Sequence, residues 1–385
     1  MVIWSSTVEV MVAKSLLKGD DTFWKNKKVL ITGHTGFKGS WLALWLLRMG
    51  ADVSGFSLPT SNKNKLFNEL DLAQLSTSNA YGNFKHYEGD IRDSNTLKKI
   101  IVEVQPQVVF HLAAQSLVLN SYLNPIETWE INIIGSLKVL ESLRDLDHDC
   151  AVVCITSDKV YQNRQSLYGY REDDRLGGKD PYSSSKAAME IVINSWRESF
   201  CGIGNYQIKN ISIATARSGN VVGGGDWAEN RLVPDAISSL IQNETIPLRN
   251  PNSSRPWLHV LEPLSGYLIL AKELFLNHRN KVSAKFSQPF NFGPNIQSNN
   301  TVRQLIECLL EYWPGEWVEI LSEDTPKEEE LLFLTSEKSY RLLGWKPKWD
   351  FSQTICKTVS WYKKNYDGIN ALDCCISDLE AYQSK

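Results

Sequence analysis

The chain reads as an α/β protein, a doubly wound parallel sheet followed by a smaller, mostly helical C-terminal part. Two observations predict this. Short apolar runs rich in Val, Ile and Phe alternate with helix-length stretches through the first half of the 385 residues, the pattern of a parallel sheet with helices on both faces. The first of those runs stops at a glycine series, Gly33-His-Thr-Gly36-Phe-Lys-Gly39, and passes directly into an apolar helix. Strand, glycine turn and helix in that order form the front half of a dinucleotide-binding βαβ unit.

Val29 to Thr32 is the first strand, and Trp41, Leu42, Leu44, Trp45, Leu46 and Leu47 mark the first helix. Gly33 permits the tight turn, Gly36 lets the backbone approach a pyrophosphate, and Gly39 lets helix and strand pack closely. The helix N-terminus adds free N–H donors for that anion, so Thr35, Phe37 and Lys38 are expected at the cofactor with the three glycines. The spacing is G-x-x-G-x-x-G rather than G-x-G-x-x-G. A purely structural turn is the alternative, and the flanking strand and helix favour the nucleotide, hence a Rossmann-type domain.

Ala51 to Leu58 is the second strand, ended by Pro59. Asp52 has nearly the spacing of a ribose-binding acid but sits at the wrong end of the strand and reads as a solvated turn residue. Ser57 lies where the adenosine ribose is expected, and no arginine stands there to grip a 2′-phosphate, which favours NAD over NADP. Phe84 to Tyr87 is the third strand. It leads to Asp90, expected to bond the adenine amine, and Ile91, expected to pack on the ring, while Asp93 suits the N-cap of a helix over Asn95 to Val104. Val108 to Leu112 is the fourth strand, with His111 a core histidine. Ala113, Ala114 and Gln115 follow, small enough at the first two positions for the main chain to pass a cofactor. A helix over Asn132 to Leu143 precedes the fifth strand, Ala151 to Thr156. Chemistry in such sheets gathers beyond the strands' carboxyl ends, where Ser157, Asp158, Lys159 and Tyr161 fall.

Asp180-Pro181-Tyr182-Ser-Ser-Ser-Lys186 opens the next helix. Tyr182 and Lys186 share a face one turn apart, and an ammonium near a phenol favours phenolate, making Tyr182 a base for a sugar or alcohol hydroxyl. An exposed helical pair is the bland reading, outweighed by the glycine turn and the Ser-Asp-Lys strand end upstream.

Taken together, Gly33-x-x-Gly36-x-x-Gly39, Gly89-Asp90, His111-Leu-Ala-Ala114 and Tyr182-x-x-x-Lys186 resemble the extended short-chain dehydrogenase/reductase family. Longer strings narrow the resemblance to nucleotide-sugar 4,6-dehydratases of the branch that acts on CDP-glucose. These are Gly33 to Leu42, Thr156-Ser-Asp-Lys-Val-Tyr161, Arg217-Ser-Gly-Asn-Val-Val-Gly-Gly-Gly-Asp-Trp227 and Arg255-Pro-Trp-Leu-His-Val260. The likeness spans about Phe23 to Asp350. It implies bound NAD, with Thr156, Leu112 to Gln115, Tyr182 and Lys186 also along the cofactor. It implies Tyr182 as base at the 4-hydroxyl, Ser157 at the 4-oxygen and Asp158 as acid for the departing 6-hydroxyl. Lys159 stands where the dTDP-glucose enzymes carry an acidic C5 base, and either takes that role or orients Asp158. Substrate contacts are implied at Gln115, Ser157, Asn220, Arg231 and Arg255, with His259 at the edge of the same loop. A nucleotide-sugar 4-epimerase and a catalytically silent NAD-binding scaffold are the competing readings. The epimerase does not need the Asp158-Lys159 pair, and the intact Tyr182/Lys186 pair with Ser157 argues against the scaffold, which needs no base.

The expected organisation is an extension over residues 1–22, a cofactor domain over 23–210 and a substrate domain over 211–385, with part near 250–265 returning to the first. Met11 is an alternative start within the extension. Helices are expected over Leu264 to Leu276, Val302 to Tyr312 and Leu331 to Leu343, with Glu328-Glu-Glu330 a solvated helix start and Trp361 and Tyr362 packing the last helix. A formal net charge of -3 gives no electrostatic case for nucleic acid or an anionic membrane, and no apolar run is long enough for a span. Seven scattered cysteines without C-x-x-C spacing fit reduced thiols in a cytoplasm, and no metal-ligand spacing appears. The family resemblance implies a homodimer or homotetramer.

Overall fold

The computed structural model describes residues 21–166, 168–201, 210–278, 285–295, 298–320 and 332–385. The expected N-terminal extension, but for its last two residues, and the acidic run at 328–330 lie outside them. The first half supplies β1 (Lys28–Thr32), α1 (Phe37–Arg48), β2 (Asp52–Ser57), β3 (Phe84–Glu88), α2 (Ser94–Val104), β4 (Val108–His111), β5 (Cys150–Ile155) and α3 (Pro181–Phe200). Beyond residue 210 come β6 (Ile211–Ser218), α4 (Leu261–Leu276) and β7 (Pro289–Phe292). The seven strands form one parallel sheet in the order β7-β6-β5-β4-β1-β2-β3. The sheet therefore draws two strands, and α4 packed on β5 and β6, from the region beyond residue 210.

Alternation along the central strands explains why both faces are covered. Val29, Ile31, Val108, Phe110, Ala151 and Val153 point into one core, shared with α1 and α4. Leu30, Val109, Val152 and Cys154 point into the other, beneath α2 and α3. Strands buried on both sides are largely apolar: β5 is an uninterrupted apolar run, and β4 is one up to His111, whose buried ring is paired with Thr32 Oγ1 and Ser136 Oγ. Strand order reverses between β1 and its two neighbours, β4 and β2, so a crevice opens above their carboxyl ends.

The rest is mainly helical: Leu232–Ile241, Val302–Tyr312, Glu337–Leu343, Phe351–Tyr366 and Ala371–Gln383. The helix expected over Leu331 to Leu343 is confined to Glu337–Leu343. Before it Leu334 makes a parallel bridge to Tyr170, and Leu332 and Leu334 are buried in a small cluster with Val160 and Tyr161. That pairing with the strand-end loop outweighs helical propensity. Trp361 and Tyr362 sit on Phe351–Tyr366, the helix before the last. Trp361 Nε1 donates to Cys375 Sγ of Ala371–Gln383 at 3.4 Å, and Tyr362 donates to the Asp226 carbonyl at 2.5 Å. A Cβ on Gly224 would lie 2.0 Å from the Trp361 ring, so these aromatics clamp the glycine loop after β6. No described helix is long and apolar enough to cross a membrane.

Candidate active site

The crevice begins at the glycine turn. Gly33 has φ +76°, and a Cβ there would lie 2.7 Å from the Ala113 nitrogen, so β1 and β4 approach closely only because glycine stands at 33. Gly39 is equally constrained, its Cβ position 2.3 Å from the Gly33 carbonyl oxygen. Gly36 differs: it is exposed, and a Cβ would meet Gly33 O at an ordinary 3.4 Å. Internal packing does not require glycine at 36, so the open backbone there serves a ligand, and the cradle fits a dinucleotide pyrophosphate. At the β2 end Thr35 Oγ1 and Ser57 Oγ are 2.7 Å apart, and Asn64 Nδ2 donates to the Thr35 carbonyl.

Several residues expected at the cofactor are turned elsewhere. Ile91 is buried in the core beneath α2, against Gly135, rather than lying open on the crevice. The Asp90 carboxylate is held by the Arg92 guanidinium at 2.7 and 3.0 Å, which lowers its pKa. Thr156 donates its hydroxyl to Glu190 at 2.6 Å. The Gln115 amide is spent in its own loop, accepting from Leu117 N and donating to Leu117 O and Thr128 Oγ1. Leu112 and Ala113 keep the close main-chain approach to Gly33, and Ala114 continues the segment half-buried.

The chemical groups converge at the end of β5. Ser157 caps a short 3-10 turn, Asp158–Val160: its hydroxyl accepts from Lys159 N at 3.2 Å and donates to Asp158 Oδ1 at 3.0 Å. Asp158 is buried, and its Oδ2 has no hydrogen-bond partner among the described residues. Burial raises the carboxyl's pKa above its ordinary value, against the pull of Lys159, the Ser157 hydroxyl, Lys38 and Arg255. Tyr182 enters from the first turn of α3, which starts with Pro181 behind an Asp180–Ser183 capping box. Burial pushes the phenol up to about 12, with Ser157 acting to lower it. The lysine expected to ionise it is engaged elsewhere. Lys186 Nζ donates to the Ile155 carbonyl at 3.3 Å, lies 3.7 Å from Met189 Sδ, and is lowered to about 8 by burial.

Around the substrate side, Arg231 spans the crevice, with Nη1 2.8 Å from Asp226 Oδ2 and Nη2 3.4 Å from Ser116 Oγ. Arg255 donates to the Ser254 carbonyl and is near enough to Asp158 to act on its charge. Asn220 is half-exposed, its carbonyl accepting from Leu258 N. His259 is not at the loop's edge. It is fully buried between Trp41 and Trp349, its Nδ1 accepting from Leu261 N. The short pairing of Leu258–His259 with Val221–Val222 turns the ring into the core.

A family model described as GDP-mannose 4,6 dehydratase matches residues 30–358. The chain belongs to that family. It is 42% identical over 366 residues to the CDP-glucose 4,6-dehydratase of Salmonella typhimurium, covering 95% of this chain and 98% of that protein. The dTDP-glucose 4,6-dehydratase of the same organism is 27% identical over 371 residues, covering 89% and 94%. Among solved structures, dTDP-glucose 4,6-dehydratase from Bacillus anthracis in complex with NAD aligns at a TM-score of 0.71 and 22% identity, covering 89% of this chain and 98% of that one. A UDP-glucose 4-epimerase from Stenotrophomonas maltophila with bound NAD gives 0.73 at 19%, covering 89% and 100%. At these identities the structures speak for the fold alone.

Two supports in this family member escaped the motif reading. Glu190 and Arg217 form a buried ion pair at 2.9 Å behind the β5 end, with Arg217 also donating to Tyr161 at 2.7 Å. Glu190 follows Tyr182 and Lys186 at a further helical turn, a spacing that places it on their face. Asn132 ties the Gln115 backbone to Ser185 of α3, and its place in an apolar helix was the available signal.

Proposed function

We propose that this protein converts CDP-D-glucose to CDP-4-keto-6-deoxy-D-glucose with loss of water. The observation that carries the reading is the Asp158 carboxyl, buried with its pKa raised and with one oxygen unpartnered among the described residues, beside Ser157 and Tyr182. Elimination of a hydroxyl needs such an acid; 4-epimerisation does not. Likeness to the Salmonella typhimurium enzyme over nearly the whole of both chains supports the nucleotide.

Bound NAD, seated over Gly33, Gly36 and Gly39, supplies the hydride acceptor and donor of an internal redox cycle. Tyr182 takes the 4-hydroxyl proton as C4 is oxidised, its phenol lowered from the cofactor-free value by positive charge in the filled site. Ser157 donates to the 4-oxygen, and the ketone acidifies C5–H. Lys159 removes that proton, Asp158 gives its own to the 6-hydroxyl, and the C6–O bond breaks with release of water. Return of the hydride to C6 and of the proton from Lys159 to C5 then gives the 4-keto-6-deoxy sugar. Arg231 and Arg255 bind the diphosphate, for which a guanidinium fork is suited, and Asn220 bonds a neighbouring oxygen.

The active form we propose is a homodimer, the smaller of the two expected assemblies. Leu119, Tyr122, Leu123, Ile126 and Trp129 stand exposed on the helices Val118–Leu123 and Pro125–Trp129, beside exposed Ile191 of α3 on which they pack. An apolar face of this extent fits a second copy. The seven unpaired thiols suit a cytoplasm. Incubating the purified protein separately with CDP-, dTDP- and GDP-glucose and weighing the products tests the reading. A product lighter by one water from CDP-glucose alone is expected; unchanged mass with conversion to CDP-galactose would overturn it.

A further inference from the structure

Lys38 occupies the second position of α1, inside the glycine turn. That is an unfavourable place for an ammonium, because the helix N-terminus already carries partial positive charge. The residue is half-buried with its ammonium enclosed, and burial lowers its pKa to about 8. Its hydrogen bond among the described residues goes to a neutral hydroxyl, Ser218 Oγ at 3.0 Å, and that oxygen is 2.8 Å from the buried Tyr267 hydroxyl. Neither hydroxyl carries a charge to set against it, though Asp158 and Asp226 act on it from further off, and a shorter apolar side chain would fill the turn at lower cost. Yet the same bond holds the ammonium at the end of β6. Ser218 ends β6, and the next residue, Gly219, abuts the acid: a Cβ on Gly219 would lie 3.1 Å from Asp158 Oδ2. The charges around the ammonium are Asp158, Lys186, Arg231 and Asp226.

We propose that the Lys38 ammonium is the counter-charge for the carboxylate that Asp158 becomes when it gives up its proton in the elimination. The inference rests on the function proposed above and adds a positioning residue to it. As the C6–O bond breaks, the Asp158 proton leaves with the hydroxyl as water. A negative charge then appears at a buried site whose Oδ2 has no donor among the described residues, with the newly protonated Lys159 as its first neighbour and Lys38 as a second. Lys159 lies beside it in the turn, Arg255 approaches from the strand Ser254–Pro256, and the Tyr182 phenol faces it from α3. Lys38 adds a cation from α1, held at a fixed place by Ser218 rather than by a competing carboxylate. Stabilising a charge that exists only after proton transfer accelerates that step and not the preceding oxidation.

The test compares wild type with Lys38→Met and Lys38→Arg on CDP-glucose. Hydride transfer is followed by reduced-nicotinamide absorbance in single turnovers, and elimination by mass analysis of quenched samples. Lys38→Met should slow elimination at least about tenfold more than hydride transfer, with the oxidised but undehydrated sugar nucleotide accumulating. Removing a cation weakens the acid, so the alkaline limb of the elimination profile should move to higher pH even as the rate falls. Lys38→Arg should restore rate and limb together. In an Asp158→Asn background, Lys38→Met should cost little further. Equal loss of both steps, an unmoved pH limb, or full additivity with Asp158→Asn would overturn the proposal while leaving the dehydratase reading intact. Absence of dehydration in the wild type would overturn both.

Discussion

Replacing Glu190 by glutamine should cost the fold about 3–5 kcal/mol, because it strands a buried guanidinium. Both side chains of the Glu190–Arg217 pair are 2% exposed. The carboxylate accepts from Thr156 at 2.6 Å, Thr215 at 2.7 Å, and Arg217 Nε and Nη2 at 2.9 Å each. A glutamine amide has the same shape but one oxygen. The threonine hydroxyls can rotate to donate elsewhere; the guanidinium N–H groups cannot, so one of them meets an amide N–H. Equilibrium urea unfolding followed by circular dichroism and tryptophan fluorescence measures the loss, and coincidence of the two probes checks the two-state treatment. Removing both charges together, as Glu190→Leu with Arg217→Met, should cost much less than the two single changes combined. The pH dependence has a definite sign. Burial acts to raise the Glu190 pKa, but Arg217, Thr156 and Thr215 outweigh it and the folded value is lowered. Its stabilisation is therefore complete above about pH 4.3, the unfolded value, and is lost as pH falls through the lower folded one. The gap between wild type and Glu190→Gln should narrow on acidification. A loss below about 1 kcal/mol at neutral pH, within reach of an ordinary hydrogen bond, or a gap that widens in acid, would refute the reasoning.

Gly33→Ala should yield folded protein purified without nicotinamide, read from its absorbance spectrum, because φ +76° and the 2.7 Å approach to Ala113 push β1 and β4 apart at the cradle. Lys159→Met should abolish exchange of the substrate's C5 hydrogen with solvent deuterium while hydride transfer stays measurable; unchanged exchange removes Lys159 from the role of base. Leu123→Glu with Ile126→Glu places two charges on the exposed apolar face and should convert the proposed dimer to monomer in light scattering after size exclusion.

The sheet was legible because its central strands are buried on both faces. Val108 to Phe110 and Cys150 to Ile155 are apolar at each step, and such runs between glycines and polar turns have few other readings. The two strands beyond residue 210 were missed for a related reason. Ile211–Ser218 interleaves Ser212, Thr215 and Arg217 with its apolar positions, and Pro289–Phe292 is four residues long. In both, the polar side chains are there to build the network behind the active centre, where Thr215 and Arg217 meet Glu190 and Asn291 meets Tyr161.

Spacing along the chain put Ser157, Asp158 and Tyr182 at the strands' carboxyl ends but did not say which way each expected residue would face. Ile91 and His259 both lie just beyond or within pairing segments at the crevice, and both turned into the core, where an apolar side chain and a neutral imidazole are cheaply housed among Gly135 or Trp41 and Trp349. Asp158 has no comparable refuge. Its carboxyl is enclosed with one oxygen satisfied by Ser157 and the other by nothing among the described residues, an arrangement that costs stability in the free protein. Lys38 bears the same mark, an enclosed charge held by a hydroxyl. Two unfavourable placements on separate elements, at the end of β5 and the start of α1, compensate one another when Asp158 is ionised, and the proposed elimination is the step that would ionise it.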